Sequence, residues 1–167
     1  NVANNTAVGY RAGKTVTGAN NTILGANAAL AATTAASNVV IGNDAINSGV
    51  FTGSNNVVIG NLAGQDMTSA DSNVFVGEDA GTNTTTGDSN IFIGESAGEA
   101  NTTASNNIAI GFNAMNDNTT GTRNTAIGFE AYDKSDTEND NLAIGYAAMT
   151  TNTAGGVNNV AIGNYSL

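Results

Sequence analysis

An aliphatic residue followed by glycine recurs along the whole chain, at Gly9, Gly25, Gly42, Gly60, Gly77, Gly94, Gly111, Gly128, Gly145 and Gly163. Successive glycines lie 16 to 18 residues apart, which makes ten copies of one unit of about 17 residues. Four positions before every glycine stands an asparagine: Asn5, Asn21, Asn38, Asn56, Asn73, Asn90, Asn107, Asn124, Asn141 and Asn159. Three positions after it stands alanine, from Ala12 to Ala148, with Ser166 in the last copy. The unit reads Asn-(Thr/Val/Ile)-(Ala/Val/Phe)-(Ile/Val)-Gly-x-x-Ala and then a polar Thr/Asn/Gly stretch, as in Asn107-Ile108-Ala109-Ile110-Gly111-Phe112-Asn113-Ala114. So short a unit with one aliphatic run is too small for a helix pair. It suits one turn of a parallel β-solenoid with two short strands and two turns per coil. Gly, Asn, Thr and β-branched residues also disfavour helix, and no 3.6-residue stripe is present.

Stacking like on like in register explains why each column keeps its residue type. The asparagine column predicts side-chain amide ladders and bonds to turn backbone. Side chains alternate across a strand, so each strand has two faces. The bulkier column, Val8, Leu24, Ile41, Ile59, Val76, Ile93, Ile110, Ile127, Ile144 and Ile162, is expected inside the coil. The opposite face then carries Ala7, Ile23, Val40, Val58, Phe75, Phe92, Ala109, Ala126, Ala143 and Ala161, with no polar residue. Ten strands at roughly 4.8 Å make that column about 45 Å long. Left exposed it would exceed what monomers tolerate. These ten residues are therefore expected to form an interface between identical chains about an axis parallel to the solenoid.

Composition narrows the chemistry. The 167 residues include no His, Cys, Trp or Pro, and 4 basic against 14 acidic residues give a net charge of −10. Disulfides, thiolate or imidazole metal sites and Ser-His-Asp or Cys-His catalysis are excluded. Four basic residues cannot make the stripe that nucleic-acid backbones or anionic membranes require. No apolar run approaches the roughly 18 residues of a membrane span. No nucleic-acid partner, membrane insertion or cofactor is expected.

Carboxylates that could pair are Glu78 with Asp79, Glu95 with Glu99, and Asp136 with Glu138 and Asp140. Their outer-loop positions read as solvated charge, so no catalytic residues are assigned and the chain is read as a non-enzyme. Asp71 above Asp88, and Glu78 above Glu95, would hold like charges about 5 Å apart, which a cation can screen. The nonapeptide of calcium-binding β-rolls is absent, and no metal is assigned. A partial threonine rank, Thr17, Thr33, Thr68, Thr85, Thr102, Thr119 and Thr153, is interrupted by Val50 and Asp136 and fits ice binding poorly.

Asn-x-Val/Ala-Ile-Gly-x-x-Ala in tandem, over residues 4–167, resembles the head repeats of YadA-like trimeric autotransporter adhesins and similar repeats of trimeric phage tail fibres. The resemblance implies an all-β, left-handed parallel β-roll of about ten coils, a homotrimer, and an extracellular fibre on a bacterial surface or phage-like particle. Its partners would be a host-surface glycan or protein. The unit departs from the usual head repeat in its longer Thr-rich edges, as at Thr82–Gly87 and Asn116–Gly121, and no family binding residue maps onto a position here. Residues 1–167 are expected to be a single repeat domain. Neither end carries a cap, which predicts a longer parent fibre. The functional expectation is an adhesive fibre segment. Its alternatives are a passive shaft of a phage-like tail fibre and, more remotely, a polysaccharide-degrading spike or an ice-binding solenoid.

Overall fold

A computed structural model describes residues 4–134, 136–150 and 156–167. Ten three-residue strands follow one another: β1 (Thr6–Val8), β2 (Thr22–Leu24), β3 (Val39–Ile41), β4 (Val57–Ile59), β5 (Val74–Val76), β6 (Ile91–Ile93), β7 (Ile108–Ile110), β8 (Thr125–Ile127), β9 (Leu142–Ile144) and β10 (Val160–Ile162). They form one parallel sheet in sequence order, so each strand pairs with the same strand of the next coil. The register is like on like: Val74 opposite Ile91, Phe75 opposite Phe92, Val76 opposite Ile93. We number coils 1 to 10 by their strands. No helix is present among the described residues. Among the described residues the expected second strand is reduced to a single bridge, between Ala32 and Phe51. Elsewhere that side is joined by lone inter-coil bonds such as Thr85 N–H to the Thr102 carbonyl at 2.8 Å.

The glycine that ends each strand is dictated by stacking. Gly60 has φ +150°, and a Cβ there would collide with the carbonyl of Gly77 in the next coil. A side chain is excluded both by the conformation and by the close approach.

The asparagine column lies inside the coil, and each member from Asn5 to Asn141 does two things. Asn90 donates from Nδ2 to the Ala104 carbonyl on the far side of its own coil at 2.8 Å, and its Oδ1 accepts the Asn107 backbone N–H at 2.9 Å. Asn107 repeats both, to the Gly121 carbonyl and from the Asn124 N–H, each at 2.8 Å. The backbone-to-Oδ1 chain runs unbroken from Asn5 to Asn159. One side chain thus closes its own coil and fastens the next.

Which face is inside is the reverse of the sequence expectation. Ile23, Val40, Val58, Phe75, Phe92, Ala109, Ala126, Ala143 and Ala161 are buried within a single chain, and Ala7 is exposed only at the open rim of coil 1. The nine buried residues are core within one chain and leave no side-chain surface there for another chain to meet. Val8, Leu24, Ile41, Ile59, Val76, Ile93, Ile110, Ile127, Ile144 and Ile162 point outward, half-buried or exposed. The alternation along the strand is as expected; only its sense is inverted. The asparagine settles that sense, because it shares a face with the smaller column and its amide must reach carbonyls across the lumen.

The lumen is narrow, and large side chains enter it from one wall at a time. Phe75 and Phe92 stack at 4.9 Å between centroids and 6° between planes. Opposite them the position four after the glycine is itself glycine. A Cβ on Gly81 would lie 2.7 Å from the Phe75 ring, and one on Gly98 would lie 2.6 Å from the Phe92 ring. Where the strand residue shrinks to Ala109, Ala126 and Ala143, the facing position becomes Met115, Tyr132 and Met149, all buried. Coil volume is conserved by exchanging bulk between the two walls.

Two stability predictions follow from these contacts. Phe92→Ala should destabilise by about 3–5 kcal/mol in urea titration, and adding Gly98→Met should recover most of the loss. Met115 holds φ +57° at the equivalent position, so the backbone there accepts methionine. Failure of the second change to recover stability would refute the exchange. Asn107→Ala leaves the Asn124 N–H without its acceptor, and the Gly121 carbonyl keeps only the Asn118 Nδ2–H at 3.0 Å. Unmet buried groups cost about 1–3 kcal/mol each, so a midpoint shift no larger than that of a surface Asn→Ala change would contradict the ladder's role.

Candidate interaction surface

Inversion of the faces places two aliphatic columns on the outside of the sheet. One is the set Val8 to Ile162 named above. The other is the first strand position, Thr6, Thr22, Val39, Val57, Val74, Ile91, Ile108, Thr125, Leu142 and Val160. Neither column contains a charge. Exposure within a single chain is substantial even in central coils, 37% at Ile93 and 36% at Ile127. Along ten strands this is a flat apolar strip about 45 Å long, of the kind that marks an interaction site.

One residue beyond the terminal glycine, a third column borders that strip and changes character along the solenoid. In coils 3 to 6 it is Asn43, Asn61, Glu78 and Glu95, all exposed. Asn61 Nδ2 donates to Glu78 Oε1 at 3.3 Å. From coil 7 it becomes aromatic: Phe112 and Phe129 stack at 5.1 Å and 16°, and Phe129 and Tyr146 at 5.1 Å and 4°. Tyr165, one position further along its coil, meets Tyr146 edge-on at 5.2 Å. Hydrogen bonding to Tyr165 holds the Tyr146 phenol above its usual range. At the other end Arg11 sits 5.9 Å over the Tyr10 ring. None of these stacked aromatics was singled out from the sequence. The signal was there in the spacing of Phe112, Phe129 and Tyr146, 17 residues apart.

Several of the carboxylates singled out from the sequence are bonded within the chain. Glu138 is buried and its Oε2 accepts the Asp136 and Thr137 N–H groups at 3.2 and 3.1 Å. Asp140 lies with Arg123 in a two-pronged pair, 2.6 and 2.8 Å, which lowers its pKa. Asp71 and Asp88 are stacked as expected, yet each has a backbone task. Asp71 accepts the Ser54 N–H at 2.6 Å and Asp88 the Asp71 N–H at 2.7 Å. Ser105 serves Asp88 in the same way, which explains a column of short acceptors. At Asp79 burial chiefly, then the charges of Glu99 and Glu78, raise the pKa. Among the described residues no group of three or more potential ligands is placed to hold a metal ion.

The threonine rank is also engaged within the chain. Thr68, Thr85 and Thr102 each donate their hydroxyl to the carbonyl of the next threonine, at 3.0, 3.1 and 3.1 Å. In the longer coil 3 it is Thr52, not Val50, that keeps the register, donating to the Thr68 carbonyl at 3.2 Å. Thr153 lies outside the described residues. The rank is an inter-coil fastening, the counterpart of the asparagine ladder on the opposite wall.

No protein-family model matches the chain, and no curated protein matches it. Among solved structures it is similar to the collagen-binding domain of the Yersinia adhesin YadA, at 25% identity and a TM-score of 0.55, over 97% of this chain and 72% of that one. The chain has a YadA-like fold. The likeness extends over nearly all the repeats described above.

The cluster around Asp79 yields a pH prediction. Its folded pKa lies above the unfolded one, so the folded state holds the proton more tightly. Stability from this group therefore falls as pH rises from the ordinary carboxylate range through the raised folded value. Asp79→Asn should raise the melting temperature at neutral pH and flatten its dependence in that window. Asn27 and Asn113 hold the same backbone conformation in their coils, so the replacement fits. An unchanged pH profile would show that Asp79 is not under this strain.

Proposed function

We propose that this chain is a segment of a trimeric, extracellular surface fibre that attaches its carrier to a host surface, working by presenting a rigid face and not by catalysis. The observation that carries the reading is the uncharged outer strip. A single solenoid has nothing to pack against it, whereas burial between parallel copies removes it from water along the whole fibre. Likeness to an adhesin domain supports attachment as the purpose, and a host-surface protein or glycan as the ligand. Collagen, named for the YadA domain, is the first such protein to test. In this assembly the interface residues are the outer columns, and Ala7, Ile23, Val40, Val58, Phe75, Phe92, Ala109, Ala126, Ala143 and Ala161 line each chain's own lumen.

Two adjacent substitutions separate assembly from folding. Ile127→Asp places a charge on the outer strip, so the chain should keep its circular dichroism and turn monomeric in light scattering. Ala126→Asp places a charge in a dry lumen and should prevent folding itself. Thr122→Asp, on the outer edge, should leave the trimer intact. Trimers from Ile127→Asp at the wild-type midpoint would mean that the strip is not the contact. Attachment is tested by binding of the wild-type chain to triple-helical collagen and to a glycan array. Binding to neither would favour the passive shaft.

A further inference from the structure

We propose that the aromatic ladder Phe112–Phe129–Tyr146–Tyr165 is part of the contact between copies of this chain, and that it makes coils 7 to 10 the half that holds the assembly together. The inference rests on the multi-chain reading above and says where along the fibre its strength lies.

Position is the first argument. Phe112, Phe129 and Tyr146 each stand two residues beyond Ile110, Ile127 and Ile144 of the outer strip. The apolar face widens there from two columns to three, continuous with the surface already assigned to the partner copy.

Ring geometry is the second. Sugar recognition by aromatics uses an open ring face. Phe129 is covered on both faces, by Phe112 at 5.1 Å and by Tyr146 at 5.1 Å. What the ladder offers outward is a comb of ring edges, with Phe112 and Phe129 each 39% exposed and Tyr146 42%. Such a comb suits flat packing against another protein surface better than stacking on a pyranose.

Period is the third. The comb repeats at the coil spacing, which a second parallel solenoid shares at every level. A partner without β-stacking would match it at one ring only. A copy of this chain is the one occupant that the repeat itself supplies.

The upper half of the same column supports the division. Glu78 and Glu95 belong to none of the ion pairs among the described residues, which are Arg123–Asp140 and Lys134 with Asp117 and Asp133. Copies related by an axis parallel to the fibre bring equal charges to equal heights, so this half repels where the lower half attracts.

The test is the concentration dependence of assembly of the full chain, read by mass photometry, for wild type, Phe112→Ser/Phe129→Ser/Tyr146→Ser, and Glu78→Gln/Glu95→Gln. The ladder variant should need at least tenfold higher concentration to assemble. The glutamine variant should assemble at lower concentration than wild type at low salt, with the difference vanishing at high salt. Because serine also removes ring stacking within the chain, nitration of Tyr146 in the wild type is followed by mass spectrometry. It should slow several-fold on going from dissociated to assembled protein. An unchanged midpoint for the ladder variant, equal nitration in both states, or loss of host-ligand binding with assembly untouched would each overturn the proposal. A wild type that stays monomeric at every concentration would instead remove the multi-chain reading beneath it.

Discussion

Everything in this fold depends on an amide that is buried and fully used. A solenoid coil of about 17 residues encloses too little apolar volume to hold itself shut by hydrophobic burial alone. The asparagine before each strand supplies the missing constraint twice over, closing its own coil through Nδ2 and anchoring the next through Oδ1. Buried amides are costly only when a partner is missing, and in this chain the partner is guaranteed by the repeat. Each coil provides a carbonyl to the asparagine inside it and a backbone N–H to the asparagine before it.

That ladder sets the size of the lumen, and lumen size sets the rest of the pattern. A short amide must span from one wall to carbonyls on the other, so the walls stay close and the strand side chain between them stays small. Phenylalanine is admitted at Phe75 and Phe92 only where the facing residues are Gly81 and Gly98. Bulk that the lumen cannot take is displaced outward, where Ile93, Ile110 and Ile127 are unconfined by the coil. A greasy exterior is thus a geometric consequence of a polar seam inside.

Much of this was legible in the residues. The phase of Asn and Gly yields the ten stacked strands, their parallel register and the lack of helix among the described residues, because stacking repeats each constraint about 17 residues later. The strand alternation was legible too. The sense of that alternation was missed because bulk was weighed above polarity: Ile127 looks more like core than Ala126. The corrective signal lay in Asn124, which shares a face with Ala126 and needs a fixed set of buried partners. A second signal was the exchange of size between Phe92 with Gly98 and Ala109 with Met115, which only facing positions would show. The missing second strand was harder to foresee. Lone bonds such as Thr85 to Thr102 use the same residue types as a strand, and β-propensity does not distinguish them. The roles of Asp71 and Asp88 as acceptors for backbone N–H groups show in the sequence only as a column of short polar residues, Ser54, Asp71, Asp88 and Ser105, and the spacing does not say what that column bonds.

The division of labour between the two faces also governs how the molecule can vary. Inside, each residue answers to a neighbour in its own coil and to a copy in the next, so change is confined to compensated exchanges such as phenylalanine for glycine across the lumen. Outside, Thr, Val, Ile and Leu replace one another freely in the first strand column, since a flat apolar strip demands hydrophobicity and little shape. The edge column beyond the glycine is freer still, and it runs from Asn43 through Glu95 to Tyr146 without disturbing a coil. Difference between one stretch of the solenoid and another therefore resides at that edge and in the outer turns, whereas the interior repeats.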